Sequence, residues 1–325
     1  MMKLSLLLTI VVLATNSNLR GQAKQSDCVA RQYRVVALPL RPAQINDVHQ
    51  VAGTTTRHQA GLWSEQSGLR ELPLPTGFHN SEAVGVNSAG VLSGTLYERN
   101  STEPRAFKSS GDRVFLLEGK RSVAHGIDDS GEVAGEAILP GKTTTGPALW
   151  TERSTVSLAG CCGGTARGVN NHGQVIADVY DQAGGYAAFL WNAKDGLKPI
   201  GPPQRYSSAI AINDSGHVII QVFTEAYLYA DGKTTLLNLS HDDPSQPRAI
   251  NNCDVIVGSF GPFADANRAF LWEKSVGFHD LNSLIPADSG WKLEVATSIN
   301  DHGEIVGWGN HKNDDDAGFL LIPQH

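Results

Sequence analysis

The sequence predicts an all-β fold built from seven copies of one four-stranded unit. Three observations carry this prediction: a turn phrase that recurs along the chain, an aromatic segment that follows each turn, and the lack of apolar residues at helical spacing. The turn phrase is clearest as Ile212-Asn213-Asp214-Ser215-Gly216-His217-Val218. It consists of an apolar residue, an Asn, two polar residues, a Gly and a β-rich run.

Successive copies of the turn phrase lie 38 to 49 residues apart. The side chain of its Asn or Asp can accept a hydrogen bond from the backbone two residues on, which forms an Asx-turn. Three residues later stands a Gly in five copies, and His49 or Asp254 in the other two. All three residue types tolerate positive φ. We therefore predict seven hairpin turns whose polar residues have a structural role: Asn46, Asn87, Asp128, Asn170, Asn213, Asn251 and Asn300.

Each turn is followed by an aromatic segment, such as Phe270-Leu271-Trp272, which predicts a third strand. In the second copy this segment degrades to Ala106-Phe107-Lys108-Ser109. Another turn then leads to a fourth strand. The predicted fourth strands are Leu69–Leu74, Arg113–Leu117, Thr155–Leu158, Leu197–Ile200, Thr234–Leu239 and Phe278–Leu284. Four strands in about 41 residues match the size of one propeller blade.

The seventh copy ends after its third strand, whereas a strand-like segment, Tyr33–Leu40, precedes the first turn. Pairing of these two ends would close a ring and leave no open sheet edge. We predict a seven-bladed β-propeller of four-stranded blades, in which an N-terminal strand completes the last blade. Residues 24–325 would form this single domain. An open β-solenoid is the alternative.

Residues 1–23 have the features of a secretory signal peptide. Lys3 precedes an apolar run, Leu4–Ala14, that is too short to span a bilayer, and small residues precede a candidate cleavage point after Ala23. An uncleaved N-terminal anchor is the alternative. We expect export to the periplasm, the cell surface or the medium, without stable membrane insertion of the mature chain.

Charge and cysteine content narrow the range of partners. The chain has 26 basic and 33 acidic residues, and this acidity argues against nucleic-acid binding.

Export permits disulfides, but four cysteines allow three full pairings and the sequence does not choose among them. The cysteine spacing matches no zinc motif. We expect a monomer with no metal and no cofactor. The cysteines are Cys28, Cys161, Cys162 and Cys253.

The phrases Ile-Asn-Asp-x-Gly-x-Val-Val-Gly and Ala-Phe-Leu-Trp resemble the bacterial extracellular HAF repeats. That family is expected to form propellers, and the resemblance covers nearly all of the mature chain. This sequence departs from the pattern because the His before Ala-Phe is replaced. The replacing residues are Gln59, Arg105, Tyr186, Glu225 and Arg268. The family has no general activity, so the resemblance implies no catalytic residue.

The candidate site is the column where the copies differ, three residues before each turn Asn or Asp. Its flanking positions are small, and first strands line the central channel of a propeller. His125, Arg167 and Arg248 belong to this column. We predict that they hold an anionic or sugar ligand at a channel mouth through charge-assisted hydrogen bonds. In the alternative interpretation they bind backbone carbonyls or channel water.

Two functional hypotheses follow from this column. The first is a non-enzymatic binding or scaffold module that recognises carbohydrate or protein at the channel mouth. The second is a polysaccharide hydrolase or lyase with its site in the central channel, where His125 would act with Glu82 of the neighbouring blade. The fold cannot decide between them, because propellers host both.

Overall fold

The computed structural model describes residues 30–99, 101–160, 162–180, 184–202, 206–239, 243–262, 267–312 and 314–324. The predicted signal peptide, Cys28 and Cys161 lie outside these ranges. Cys253 is disulfide-bonded. Within the described ranges, no helix has the length and apolar character needed to cross a membrane.

In the described part of the chain, 28 strands form seven four-stranded antiparallel sheets. Blade 1 holds β2 (Arg41–Ile45), β3 (Val51–Thr54), β4 (Ala60–Ser64) and β5 (Gly68–Glu71). Blade 2 holds β6 (Phe78–Val86), β7 (Leu92–Glu98), β8 (Pro104–Ser110) and β9 (Arg113–Leu116). Blade 3 holds β10 (Lys120–Ile127), β11 (Val133–Ile138), β12 (Gly146–Trp150) and β13 (Thr155–Ser157).

The remaining blades repeat this order. Blade 4 holds β14 (Gly164–Val169), β15 (Val175–Tyr180), β16 (Tyr186–Asn192) and β17 (Gly196–Pro199). Blade 5 holds β18 (Ser208–Ile212), β19 (Val218–Val222), β20 (Glu225–Ala230) and β21 (Lys233–Leu237). Blade 6 holds β22 (Ser245–Ile250), β23 (Ile256–Phe260), β24 (Arg268–Glu273) and β25 (Gly277–Asp280). Blade 7 holds β26 (Trp291–Ile299), β27 (Ile305–His311), β28 (Asp314–Gln324) and β1 (Gln32–Leu38).

The N-terminal strand closes the ring, as the sequence predicts. β1 pairs antiparallel with β28, from Gln32 opposite Gln324 to Leu38 opposite Gly318. The sheet order of blade 7 is therefore β1-β28-β27-β26, with its outermost strand taken from the other end of the chain. This arrangement confirms the seven-bladed propeller and excludes the open solenoid.

The hairpin turns also have the predicted geometry. His49 and Asp254, the two residues that replace Gly, have φ values of 62° and 60°. The five glycines at the same position have φ between 68° and 79°. Asn46 forms the expected Asx-turn, since its Oδ1 accepts hydrogen bonds from the backbone N–H groups of Val48 at 3.2 Å and Gln50 at 2.8 Å. The turn chemistry was therefore predictable from the residue types alone.

The fourth strands of blades 1 to 6 end one to four residues earlier than predicted, and the difference is largest in blade 6. The predicted strand Phe278–Leu284 ends at Asp280, and a 3-10 helix over Leu281–Leu284 replaces its second half. Asp280 caps this helix by accepting a hydrogen bond from the N–H of Asn282 at 2.9 Å. Asn282 in turn bonds the backbone N and O of Leu293 at 2.7 and 2.9 Å. Because of these bonds, the chain leaves the sheet of blade 6 and contacts β26 of blade 7.

Buried third-strand aromatics fill the space between neighbouring blades. Phe107, Phe270 and Phe319 are all fully buried. Phe319 lies so close to β27 that a Cβ at Gly307 would come within 2.6 Å of its ring and 2.0 Å of the carbonyl oxygen of Val295. A glycine is required at that point. These third-strand aromatic residues are therefore part of the core.

The turn residues tie neighbouring blades together. The side-chain amide of each turn Asn donates to the backbone carbonyl of the next turn residue around the ring, for example Asn46 Nδ2 to Asn87 O at 2.8 Å. The bond from Asn300 Nδ2 to Asn46 O, at 3.1 Å, crosses the seam between blades 7 and 1. We call this ring the asparagine belt. Its other bonds start from Asn87, Asn170, Asn213 and Asn251. Asp128 has no amide N–H to give and interrupts it.

Replacement of Asp128 by Asn is expected to complete the belt and raise the free energy of unfolding by about 1 kcal/mol at pH 7. Asn would keep the bond that Asp128 Oδ1 accepts from Glu132 N at 2.8 Å, and it would add a donor toward the carbonyl of Asn170. Burial raises the pKa of Asp128. Ionisation therefore costs the wild type stability as pH rises through that pKa, and the gain should be smaller at pH 3 than at pH 7.

Urea unfolding at both pH values measures this gain. Asp129→Asn is the matched control, because it removes the same charge one residue away while the acceptor for Ser88 N is retained. We expect the control to change stability by less than about 0.5 kcal/mol. Equal gains in the two variants would attribute the effect to charge and not to the new hydrogen bond.

Candidate functional site

Every first strand carries a β-bulge at the same place. In each blade, the first-strand residue that lies three positions before the turn Asn or Asp has no ladder partner on the second strand. A bulged residue is unpaired in the ladder, and its side chain is re-aimed. We call these seven residues the bulge ring: Ala43, Val84, His125, Arg167, Ile210, Arg248 and Thr297. They are the variable column that the sequence singles out.

The channel opens into a cavity of about 1380 Å³ on the face that carries the hairpins between second and third strands. We call this the loop face; the hairpins at Thr54–His58 and around Phe223 belong to it. The cavity is lined by every member of the bulge ring except His125, and by Glu82. Three of the four predicted site residues, Glu82, Arg167 and Arg248, therefore share one cavity.

Two arginines of this cavity lie close enough to influence each other. Arg41, from blade 1, has its guanidinium 4.5 Å from the centre of the Trp308 ring and 4.0 Å from Asp316 Oδ1. Arg248, from blade 6, makes no hydrogen bond or ion pair within the described residues. The channel walls and the charge of Arg41 lower the pKa of Arg248 below its ordinary value. The two charges thus face the cavity from either side of blade 7.

Arg167 is partly neutralised by a buried carboxylate. Its Nε donates to Asp178 Oδ2 at 3.0 Å, and Asp178 also accepts from Ser208 Oγ at 2.9 Å and Ala209 N at 2.8 Å. Burial raises the pKa of Asp178, although these bonds and the charge of Arg167 oppose the rise. Arg167 therefore has a structural task at the boundary between blades 4 and 5, in addition to lining the cavity.

His125 and Glu82 have different partners. Burial lowers the pKa of His125, and the carboxylate whose charge opposes this is Glu136. The Nε2 atom of His125 is buried and has no hydrogen-bond partner within the described residues. Glu82 instead accepts a hydrogen bond from the hydroxyl of Tyr97 at 3.2 Å. Within the described residues, no hydrogen bond or ion pair joins His125 to Glu82.

An exposed row of aromatic rings leads into the cavity. Tyr180 contacts Tyr186, Tyr186 contacts Tyr206, and Tyr206 contacts Phe223, with ring centroids 6.2, 5.5 and 6.4 Å apart. We call these four residues the aromatic ridge. Phe223 lines the cavity and is 76% exposed. Its φ of 53° is unusual for a bulky residue, so the backbone holds this ring in solvent at a cost in strain.

Sequence reasoning missed Arg41 and the aromatic ridge. Arg41 lies five residues before Asn46, the same offset that separates Glu82 from Asn87. Ser208 and Gln246 occupy the same position in their copies and also line the cavity. A comparison of the copies at this position would therefore have identified Arg41. The ridge residues have no repeated counterpart, so no periodic signal indicates them.

The opposite end of the channel is acidic and narrow. The residues after each turn Asn or Asp surround a space of about 160 Å³, and four of them are Asp47, Asp129, Asp214 and Asp301. Burial, together with the charges of Asp301 and Asp129, raises the pKa of Asp47. Among the described residues, no group of three or more His, Cys, Asp or Glu side chains could hold a metal ion. Among the described residues, the charged side chains at this end of the channel are thus all aspartates, whereas the loop-face cavity holds arginines together with Glu82, Asp314 and Asp316.

Solved structures share this architecture. No model of a protein family matches the chain, and none of the curated proteins does either. The propeller domain of Cps50 (Swd1) from Myceliophteria thermophila is 11% identical with a TM-score of 0.57, over 91% of this chain and 99% of that one. YCF48 bound to D1 peptide is 11% identical with a TM-score of 0.56, over 90% and 95%. Streptogramin B lyase is 9% identical with a TM-score of 0.55, over 90% and 98%. Such low identities show the fold alone.

Proposed function

We propose that this protein is an exported, non-enzymatic binding module that takes a carbohydrate into the loop-face cavity. The observation that carries the proposal is the junction of that cavity with the aromatic ridge. Ligand sites are concave surfaces with aromatic walls and a few placed polar groups, and this junction provides both. The leader at residues 1–23 supports export, and the repeat phrases support membership of the HAF-repeat family.

The polar groups of the cavity suit a ligand rich in hydroxyl groups. A hydroxyl both donates and accepts hydrogen bonds, so it needs acceptors and donors around it. Glu82 and Asp314 offer acceptors, Arg248 offers donors, and the amide of Gln246 offers both. The apolar faces of sugar rings can pack against exposed aromatic rings, which the ridge supplies beside the cavity. This combination favours carbohydrate over a protein ligand.

The geometry favours binding over hydrolysis. Glycoside hydrolysis requires two carboxyl groups that converge on one bond, or an acid and a base with equivalent roles. The predicted pair shares no hydrogen bond among the described residues: Glu82 is bonded to Tyr97, and the carboxylate acting on His125 is that of Glu136. The three cavity residues Glu82, Arg167 and Arg248 are therefore better suited to hold a ligand than to cleave it.

Replacement of Phe223 by Gly is expected to lower carbohydrate affinity at least about fivefold while stability rises slightly. The ring is lost from the cavity wall, where an aromatic contact contributes roughly 1 kcal/mol. Phe223 is the first of two loop residues between Val222 and Glu225, a position where hairpins with positive φ favour Gly. Relief of strain should add roughly 0.5 kcal/mol to the free energy of unfolding.

The measurement is calorimetric binding of a panel of neutral and acidic oligosaccharides, with an assay for new reducing ends on the same samples. Leu236→Ser is the control, because Leu236 is 52% exposed on the outer strand β21. We expect binding without product formation, and unchanged affinity in the control. Product formation would establish an enzyme instead. Binding that is insensitive to loss of Phe223 would place the ligand elsewhere.

A further inference from the structure

We infer that Arg41 and Arg248 form an anion subsite in the loop-face cavity, so that the carbohydrate taken there is an acidic sugar whose oxyanion binds between them. This inference rests on the proposed function and specifies its ligand. It uses residues from blades 1 and 6, which flank the blade that closes the ring. Only Arg248 was indicated by the sequence.

The Arg41 guanidinium is held in place before any ligand arrives. It stacks on the Trp308 ring at 4.5 Å, and Asp316 Oδ1 lies 4.0 Å away, at the limit of an ion pair. The side chain of Asp316 is 67% exposed, so water screens this contact. Stacking fixes the plane of the guanidinium, and its N–H groups around that plane are free to bind an oxyanion.

Arg248 lacks a neutralising partner. It occupies a bulge position, so its side chain is directed out of the β-ladder and into the channel. Within the described residues no carboxylate bonds it, in contrast to Arg167, whose Nε is 3.0 Å from Asp178. Arg41 and Arg248 line the same cavity, and their like charges repel each other unless an anion lies between them. An oxyanion would satisfy both guanidinium groups through charge-assisted bonds.

The surroundings of the pair select a sugar acid over a uniformly charged polymer. Glu82, Asp314 and Asp316 line the same cavity and would repel an anion at every position along a ligand. Gln246, two residues before Arg248, offers an amide to neighbouring hydroxyl groups. The cavity therefore suits one acidic group at the arginine pair with hydroxyl groups around it. The oxyanion can be a carboxylate or a sulfate, since a guanidinium fork fits both.

The test compares acidic oligosaccharides with uncharged counterparts of the same backbone. The probes are a galactan oligomer that ends in one uronic acid, its methyl ester, a galactan oligomer with one sulfate group and its desulfated form, titrated into the full-length mature protein. The variants are Arg41→Gln, Arg248→Gln and the double variant. Arg34→Gln is the matched control, because Arg34 lies on β1 and pairs with Glu65 at 3.4 Å, away from the cavity lining.

At least one acidic oligomer is expected to bind about tenfold or more tightly than its uncharged counterpart. Each single variant should weaken acidic binding about tenfold, the double variant should abolish the preference, and Arg34→Gln should leave it intact. The preference should shrink between 50 and 500 mM salt. Whichever acidic oligomer binds identifies the oxyanion. Thermal melting should show no loss of stability in Arg248→Gln, because a like-charge contact is removed.

Three outcomes would overturn the inference. If charged and uncharged oligomers bind equally and their binding depends on Phe223, the ligand is not an acidic sugar. The proposed function would then remain supported. A preference for acidic oligomers that persists in the double variant would move the anion subsite elsewhere. Binding of a polyglutamate peptide in the cavity, with no carbohydrate bound, would overturn both the inference and the proposed function.

Discussion

Replacement of Asn300 by Asp is expected to lower the free energy of unfolding by about 3 kcal/mol at pH 7. Asn300 is 4% exposed, and its Nδ2 donates to Asn46 O at 3.1 Å and to Glu304 Oε2 at 2.7 Å. A carboxylate there would remove both donated bonds and place two negative charges in contact within a buried site. The bond that is lost to Asn46 is the one that carries the asparagine belt across the closing seam.

The loss should depend on pH in a definite direction. Burial and the charge of Glu304 would raise the pKa of the introduced Asp, so the penalty is greatest above that pKa and shrinks as pH falls through it. Asn46→Asp is the control, because its Nδ2 faces the neutral Gln50 side chain at 3.0 Å in place of a carboxylate. Urea unfolding should show about 1 kcal/mol lost in the control. Equal losses in the two variants would contradict a role for Glu304.

Replacement of Tyr33 by Ala is expected to destabilise the protein by about 4 kcal/mol. Tyr33 is fully buried on β1, in the same core cluster as Leu271 and Phe319 of blades 6 and 7. Its loss leaves a cavity where the chain ends meet, on the strand that closes the ring by pairing with β28. A large fraction of the total stability of an ordinary domain would be lost.

Phe115→Ala is the matched control for Tyr33→Ala. Phe115 also lies on an outermost strand, β9, but it is 47% exposed. Chemical denaturation should show a change of less than about 0.5 kcal/mol for this control. If the two variants lost similar amounts, the closing strand would contribute no more than any outer strand, and the ring would owe its stability to the other six blades.

The architecture was predictable because its signals are local. The turn conformation at residues such as His49 and Asp254 depends on a few neighbouring residues. Because the turn phrase recurs at regular intervals, the count of its copies gave the number of blades. The strand at Tyr33–Leu40 was recognisable as the missing fourth strand from strand count alone. The point at which the strand in the Phe278–Leu284 segment ends was not predictable. Asn282 bonds Leu293 of the next blade, and such a contact has no signature in the segment itself.

The candidate site was predictable in part for the same reason. Arg167 and Arg248 stand out because the copies can be compared at one offset from the turn. The bulge that exposes them is invisible in sequence, since one extra residue in a strand changes no residue type. Arg41 and Arg248 belong to blades 1 and 6, and Phe223 meets Tyr206 through a hairpin of blade 5, so both pairings depend on how the chain is folded. Only the assembled structure brings such residues together.

The seven unpaired positions of the inner strands have a consequence for how such proteins diversify. Because these side chains lie outside the ladder, exchanging them leaves the main-chain bonding of every blade unchanged. Six of them face the same opening. A lineage, or a randomised library, can therefore change the ligand contacts at most of these positions without changing the backbone pairing of the blades. Arg167 is the exception, because it also pairs with the buried Asp178 at the boundary between blades 4 and 5.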